Sequence, residues 1–288
     1  MQSMDKGYLI LAQNNSKDDY LKMAYVAAMS IKITQQAVKN VTLITDVPDA
    51  VPDHYREAFD LILPIIWYDD ALNSEWKIEN RWKLYHMTPY ESTVILDADM
   101  LFLTDISNWW NYLDKHHDLF ITNKVMTYRN EEITGNYYRK VFTSNNLPNA
   151  YSAFTYFKKS KDAEIFWKMV EIITKNWKEF YQRYLKDDRP DHLSMDVVFA
   201  LAIKLLEYED KVFTKFKYPT FTHMKGMIQN WRNENVNWLS ATGVYLNDKC
   251  QLKIGNYYQE GVFHYTEKNF LNDNVYFSYQ RLFQEMTR

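Results

Sequence analysis

Short apolar runs rich in β-forming residues alternate with helical patterns along the first half of the chain. That alternation constrains the fold more than any other feature. Tyr8 to Ala12, Val41 to Thr45, Leu61 to Ile66 (broken by Pro64), Thr93 to Leu96 and Leu119 to Thr122 read as strands. Within Asp19 to Ile33, residues Leu21, Tyr25, Ala28, Met29 and Ile33 recur at helical spacing, and a helix is expected over Ile78 to Met87, ending near Pro89. Such alternation predicts an α/β fold with a mixed, mostly parallel sheet flanked by helices. Ligands of such sheets sit beyond the carboxyl ends of the strands. The loops after Ala12, Thr45 and Leu96 are therefore expected on one working edge.

The second half is more helical and then irregular. Ile165, Met169, Ile172, Ile173, Phe180 and Tyr184 fit one face of a long helix, and Leu193 to Leu206 reads as another. Past Lys211 the chain is rich in Tyr, Trp, Asn and Gly, with a late strand at Val262-Phe263-His264 and a closing helix over Val275 to Met286. No repeat or linker interrupts the pattern, so residues 1–288 are expected to form a single domain with an irregular C-terminal portion.

Composition narrows the function classes. At 47% hydrophobic residues the chain can bury a sizeable core. A formal net charge of −3 supplies no global field towards nucleic acid or anionic lipid. Cys250 is the only cysteine, so no intrachain disulfide forms. The run Tyr8 to Ala12 is too short for a signal-peptide core, and no stretch reaches the roughly 20 apolar residues that span a bilayer. A soluble, cytoplasmic protein is the expectation. Aromatic residues reach an unusual 17%; they fill cores, but they also line sugar and base pockets.

The strongest chemical signal is Val94-Ile95-Leu96-Asp97-Ala98-Asp99-Met100-Leu101-Phe102, an apolar strand that ends in two carboxylates. Strand alternation points both the same way. Paired hard oxygen ligands suit Mg²⁺ or Mn²⁺, with diphosphate oxygens completing the shell; a polar strand end with Asp99 capping a turn is the structural reading. His264 and Lys268 follow a short apolar run. Imidazole can join carboxylates around Mn²⁺ and the lysine can neutralise phosphate, or the histidine sits in an aromatic surface turn. Arg81 and Lys83, just before the aspartate strand, either reach phosphates or ribose or form a solvated face. Asp196 either points into a pocket or complements a helix N-terminus. His223 and Lys225, with Gln229 and Trp231, suit a diphosphate and a sugar or build a structural loop. No phosphate-cradling glycine loop and no Gly-x-Ser-x-Gly elbow is present, so a metal and basic side chains must handle any phosphate.

Taken in order, these residues resemble the GT-A (Rossmann-like) glycosyltransferases, in particular the retaining glycogenin and bacterial lipopolysaccharide galactosyltransferase family. Leu11-Ala12-Gln13-Asn14-Asn15 with Tyr20 matches the nucleotide-holding first loop, Lys83 the lysine ahead of the acidic motif, and Asp97-Ala98-Asp99 the Asp-x-Asp motif. Asp196 looks like the donor-sugar aspartate, and His264 with Lys268 like the late metal and phosphate ligands. The late motif is shorter than the family's and lacks its glycine. Val197 stands where the family has Gln, and the segment before the long helix is Tyr151-Ser152-Ala153, so the resemblance is to a divergent member.

The resemblance implies transfer of a sugar from a nucleotide-diphosphate sugar, a UDP-sugar first, to a hydroxyl acceptor with retention. It implies Asp97, Asp99 and His264 as ligands of Mn²⁺ (or Mg²⁺), and Asp97, Asp99 and Asp196 as catalytic. It implies donor and cofactor contacts from Ala12, Gln13, Asn14, Tyr20, Lys83, Asp97, Ala98, Asp99, His223, Lys225, His264 and Lys268. Acceptors of the class include glycans, lipid-linked sugars, proteins and modified nucleic-acid bases. Two other readings fit the residues: a nucleotidyltransferase of related fold, and a non-catalytic sugar- or nucleic-acid-binding module.

Overall fold

In the computed structural model, residues 4–133, 139–215, 220–223, 239 and 242–287 are described. The strands are β1 (Met4–Leu11), β2 (Val41–Thr45), β3 (Leu61–Pro64), β4 (Tyr90–Leu96), β5 (Met100–Phe102), β6 (Leu119–Thr122) and β7 (Tyr151–Lys158), then β8 (Phe221–His223), β9 (Val244–Leu246), β10 (Leu252–Ile254), β11 (Tyr257–Tyr258) and β12 (Val262–His264). Among the described residues the first sheet has the order β3-β2-β1-β4-β7-β6. Its first four strands run parallel, and β7 is antiparallel to both neighbours. Residues Leu43, Ile44, Val94, Ile95, Phe154 and Tyr156 are buried, as expected for strands covered on both faces.

Helices cover the two faces. Helix Tyr20–Thr34 packs with the closing helix Asp273–Thr287, and its N-terminus is capped by the Asp19 side chain, which accepts from the Lys22 amide. Helix Lys161–Lys175 packs against helix Met195–Leu206. Gly7 leaves room for the Tyr90 ring on the neighbouring strand. A Cβ there would stand 2.2 Å from the Tyr90 ring, whose hydroxyl pairs with that of Thr42 at 2.7 Å.

Two smaller sheets complete the molecule: β5-β12-β8, with β12 antiparallel to β5 and parallel to β8, and the antiparallel β11-β10-β9. The strand expected at Val262-Phe263-His264 is present as β12, whereas β8 to β11 come from the portion past Lys211 that read as irregular in sequence. Two expected helices differ. Ile78 to Met87 is not one helix but a 3₁₀ turn (Arg81–Lys83) followed by the single turn Leu84–Met87, because Asn80, Arg81 and Lys83 are drawn into tertiary hydrogen bonds. The long helix breaks at Asn176 into Lys161–Lys175 and Trp177–Tyr184. No helix among the described residues is long and apolar enough to cross a membrane.

Candidate active site

Strand β4 ends at Leu96 and the chain turns through Asp97-Ala98-Asp99 into β5. The two carboxylates converge through this turn and not through strand alternation, a correction to the expectation from sequence. The turn is anchored where the Asp97 amide donates to the Ala153 carbonyl of β7 at 3.0 Å. Pairing of β5 with β12 sets Met100 opposite His264, and the Tyr265 amide donates to the Asp99 carbonyl at 3.3 Å. Gly261 opens this route. Its φ is +71°, and a Cβ would lie 2.1 Å from the Thr220 carbonyl oxygen.

Two aspartates and a histidine therefore meet at one point. His264 Nε2 lies 3.1 Å from Asp99 Oδ1 and 3.9 Å from Asp97 Oδ2. One ligand atom from each of the three residues falls within 4.8 Å of the others. Adjacent ligands of an octahedral ion with bonds of about 2.1 Å stand about 3 Å apart, so this set fits Mn²⁺ or Mg²⁺ with small adjustments.

Each carboxylate divides its oxygens. The remaining oxygen of Asp99 pairs with Lys268 Nζ, and that of Asp97 with the Arg81 guanidinium, which also donates to the Ser152 carbonyl at 2.6 Å. Burial pushes the Asp99 carboxyl upward. The His264 ring and the Lys268 ammonium outweigh it and hold the group well below the usual carboxylate range. Burial alone would lower the Lys268 ammonium, but Asp99 raises it. Its nitrogen also lies 5.2 Å from the Tyr20 ring centre.

Asp196 sits in the first turn of helix Met195–Leu206 and reaches the same cleft. One oxygen accepts from the Ser152 amide and hydroxyl, both at 2.8 Å; the other accepts from Arg139 at 2.7 Å. Arg139 is itself fixed over the Phe142 and Tyr151 rings, 3.6 and 4.0 Å from their centres. Burial raises the Asp196 carboxyl, and Arg139 with the Ser152 hydrogen bonds brings it below its ordinary value.

A cleft of about 550 Å³ joins these groups, and Gln13, Tyr20, Asp97, Asp99, Asp196, His223, His264 and Lys268 all line it. No protein-family model matches the sequence, and no curated protein matches it. Solved structures do match in shape. Galactosyltransferase LgtC, solved in complex with donor and acceptor sugar analogs, superposes with a TM-score of 0.54 at 14% identity, over 98% of this chain and 95% of that one. The apo form of mouse xyloside xylosyltransferase 1 gives 0.53 at 11% identity, over 92% and 98%. Glycosyltransferase GlyE from Streptococcus pneumoniae TIGR4 gives 0.52 at 10% identity, over 98% of this chain but only 63% of that one. The chain has the GT-A fold.

Within this GT-A fold the other residues singled out from sequence fall in different places. His223 lies against His264, ring centres 4.7 Å apart, because β8 and β12 pair in register. Gln13 lines the cleft while bridging Asn80 and Asp69. Ala12 is buried in β1's continuation, its amide donating to Ile44. Asn14 does not line the cleft; its side chain receives the Leu21 amide and donates to Asp19, holding the start of helix Tyr20–Thr34. Lys225, with Gln229 and Trp231, lies outside the described residues.

Lys83 is placed away from the cleft, contrary to its expected contact with donor phosphates. Its fully buried ammonium contacts Asp70 at 3.1 Å, Asn80 Oδ1 at 2.9 Å and the Tyr68 carbonyl. A buried cation must keep its partners, since an unpaired buried charge is costly. Lys83→Met is thus expected to destabilise the fold by about 3 kcal/mol, by stranding Asp70. Urea unfolding measures this; unchanged stability with weakened nucleotide binding would instead make Lys83 a phosphate ligand.

Sequence reasoning missed Arg139 and His192 as cleft residues, and it noted Tyr151-Ser152-Ala153 only as a departure from the family pattern, with no role for Ser152. The clue available for Ser152 was its place at the start of a β-branched and aromatic run. Nothing local marked Arg139, whose partner Asp196 is 57 residues away.

Proposed function

We propose that this chain is a metal-dependent glycosyltransferase that takes a sugar from a nucleotide-diphosphate sugar, a UDP-sugar first, and passes it to an acceptor hydroxyl with retention. One observation carries the reading: Asp97, Asp99 and His264 converge in the cleft with Arg81 and Lys268 beside them. The donor set fits a hard divalent cation, which when bound neutralises charge on a diphosphate. Arg81 and Lys268 add fixed positive charge next to the acidic pair, where a leaving diphosphate needs it. Tyr20 offers a ring beside Lys268 for the nucleotide, and Asp196, oriented by Arg139 and Ser152, offers carboxylate oxygens to sugar hydroxyls. His223 buttresses His264.

The reaction balances simply. The bond from the sugar's anomeric carbon to the phosphate oxygen breaks, and its electron pair leaves with the nucleoside diphosphate. The acceptor oxygen bonds to that carbon, and one proton is released. The soluble, cytoplasmic character expected from the sequence belongs to this proposal, as does the treatment of residues 1–288 as one catalytic domain.

A thermal-shift screen of nucleotide sugars with and without Mn²⁺ tests it. A true donor at a hundred times its Kd stabilises the fold by about 2.7 kcal/mol, which raises the melting temperature by several degrees. A panel in which no nucleotide sugar shifts the transition in the presence of Mn²⁺ would sink the reading. Release of nucleoside diphosphate, and not pyrophosphate, separates it from a nucleotidyltransferase. The anomeric configuration of the product, read by NMR, tests retention.

A further inference from the structure

Between β3 and the 3₁₀ turn at Arg81 the chain makes a loop with four exposed apolar side chains, Trp67, Tyr68, Leu72 and Trp76. Exposed large apolar groups gathered on one loop call for an explanation. Trp76 is distinctive among them, because it is 57% exposed and yet lines the cleft, so its ring stands at the rim. Among the described residues no ring or cation packs on it.

The loop is held rigid from beneath by polar contacts. Lys83 donates to the Tyr68 carbonyl and pairs with Asp70, while Asn80 receives the Asp70 amide at 3.0 Å. Lys77 Nζ donates to the carbonyls of Ala71 and Leu72 at 2.9 and 2.8 Å, and Asn15 donates to the Glu75 carbonyl at 3.0 Å. Trp67 stacks on Trp82 with ring centres 5.4 Å apart. Trp67 and Lys77 both have positive φ, 63° and 56°, which non-glycine residues keep only when their surroundings demand it. The backbone that carries the indole is thus tied down on both sides of residue 76, while the ring itself stays open to a ligand.

We infer that Trp76 is a stacking platform for a glycoside acceptor, so that the acceptor hydroxyl is itself borne by a sugar. The inference rests on the glycosyl-transfer reading, which assigns the charged floor of the cleft to the donor diphosphate. A flat aromatic rim beside that floor suits the apolar C–H face of a pyranose. Elsewhere in the lining of the same cleft the exposed His192 can hydrogen-bond hydroxyls.

The test uses the whole chain with Mn²⁺ and the nucleotide diphosphate of its donor. Lactose, maltose, cellobiose and xylobiose are titrated by calorimetry into wild type, Trp76→Ala and Trp76→Phe. At least one disaccharide is expected to bind wild type, to lose about tenfold or more in affinity with Trp76→Ala and to recover most of it with Trp76→Phe. Nucleotide-sugar affinity is expected to stay unchanged in both variants. If no disaccharide binds, if Trp76→Ala binds it as wild type does, or if Trp76→Ala loses the nucleotide sugar instead, the acceptor assignment is overturned. A donor that binds and is slowly hydrolysed in wild type keeps the glycosyl-transfer reading intact in all three cases. Absence of donor binding to wild type would fail that reading separately.

Discussion

Asp99→Asn is expected to lower sugar transfer by about a thousandfold while leaving the fold in place. The substitution keeps the size of the side chain and its capacity to accept from Lys268, so packing around the turn is preserved. What it removes is the negative charge that faces His264 at 3.1 Å and that His264 and Lys268 together hold ionised. An amide is a poor ligand for a hard divalent cation, and without its charge the site no longer balances Lys268. Asp97→Asn is expected to act in the same direction, since it removes the negative charge that pairs with the Arg81 guanidinium. Transfer is measured by chromatography of the product, and folding by circular dichroism. Wild-type rates in a folded Asp99→Asn protein would end the metal-site reading.

His264→Ala is expected to raise the Mn²⁺ concentration that half-saturates transfer by about tenfold or more, because even neighbours of a metal's ligands change affinity by about 10–100-fold. The ring is nearly buried between β5 and β8, so the loss also opens a small gap beside His223 and Phe221. Two measurements separate these effects. Calorimetric titration of Mn²⁺ reports the ligand role directly, and urea unfolding reports the packing loss. An unchanged metal titration would reject His264 as a ligand whatever happens to stability.

Five of the six strands of the first sheet, all but β7, were legible because burial on both faces forces continuous apolar runs, and such runs survive translation into sequence unaltered. Val41–Thr45 and Leu119–Thr122 coincide with the observed strands for this reason. The short strand β5 and the β9–β11 sheet were not legible. Three-residue strands carry too little periodicity, and their pairing is decided by partners far along the chain. Lys83 shows the same limit for a single side chain. Its position near the acidic motif suggested phosphate, but Lys83 lies in a 3₁₀ turn with its ammonium in the interior, paired with Asp70 and Asn80.

The sequence by itself determined that a mostly parallel α/β sheet would carry two carboxylates at a strand end, since a buried run that stops at Asp97-Ala98-Asp99 has no other cheap way to place them. The resemblance named His264 and Lys268 as their partners, but only the tertiary structure decided how these groups meet and added Arg81 to them. The antiparallel pairing of β5 with β12, opened by the positive φ of Gly261, carries His264 across more than a hundred residues to Asp99. The same folding brings Arg139 to Asp196 and lifts Trp76 to the rim of the cleft. Contacts of this kind depend on backbone registers summed over the whole chain, and no local pattern of residues encodes them.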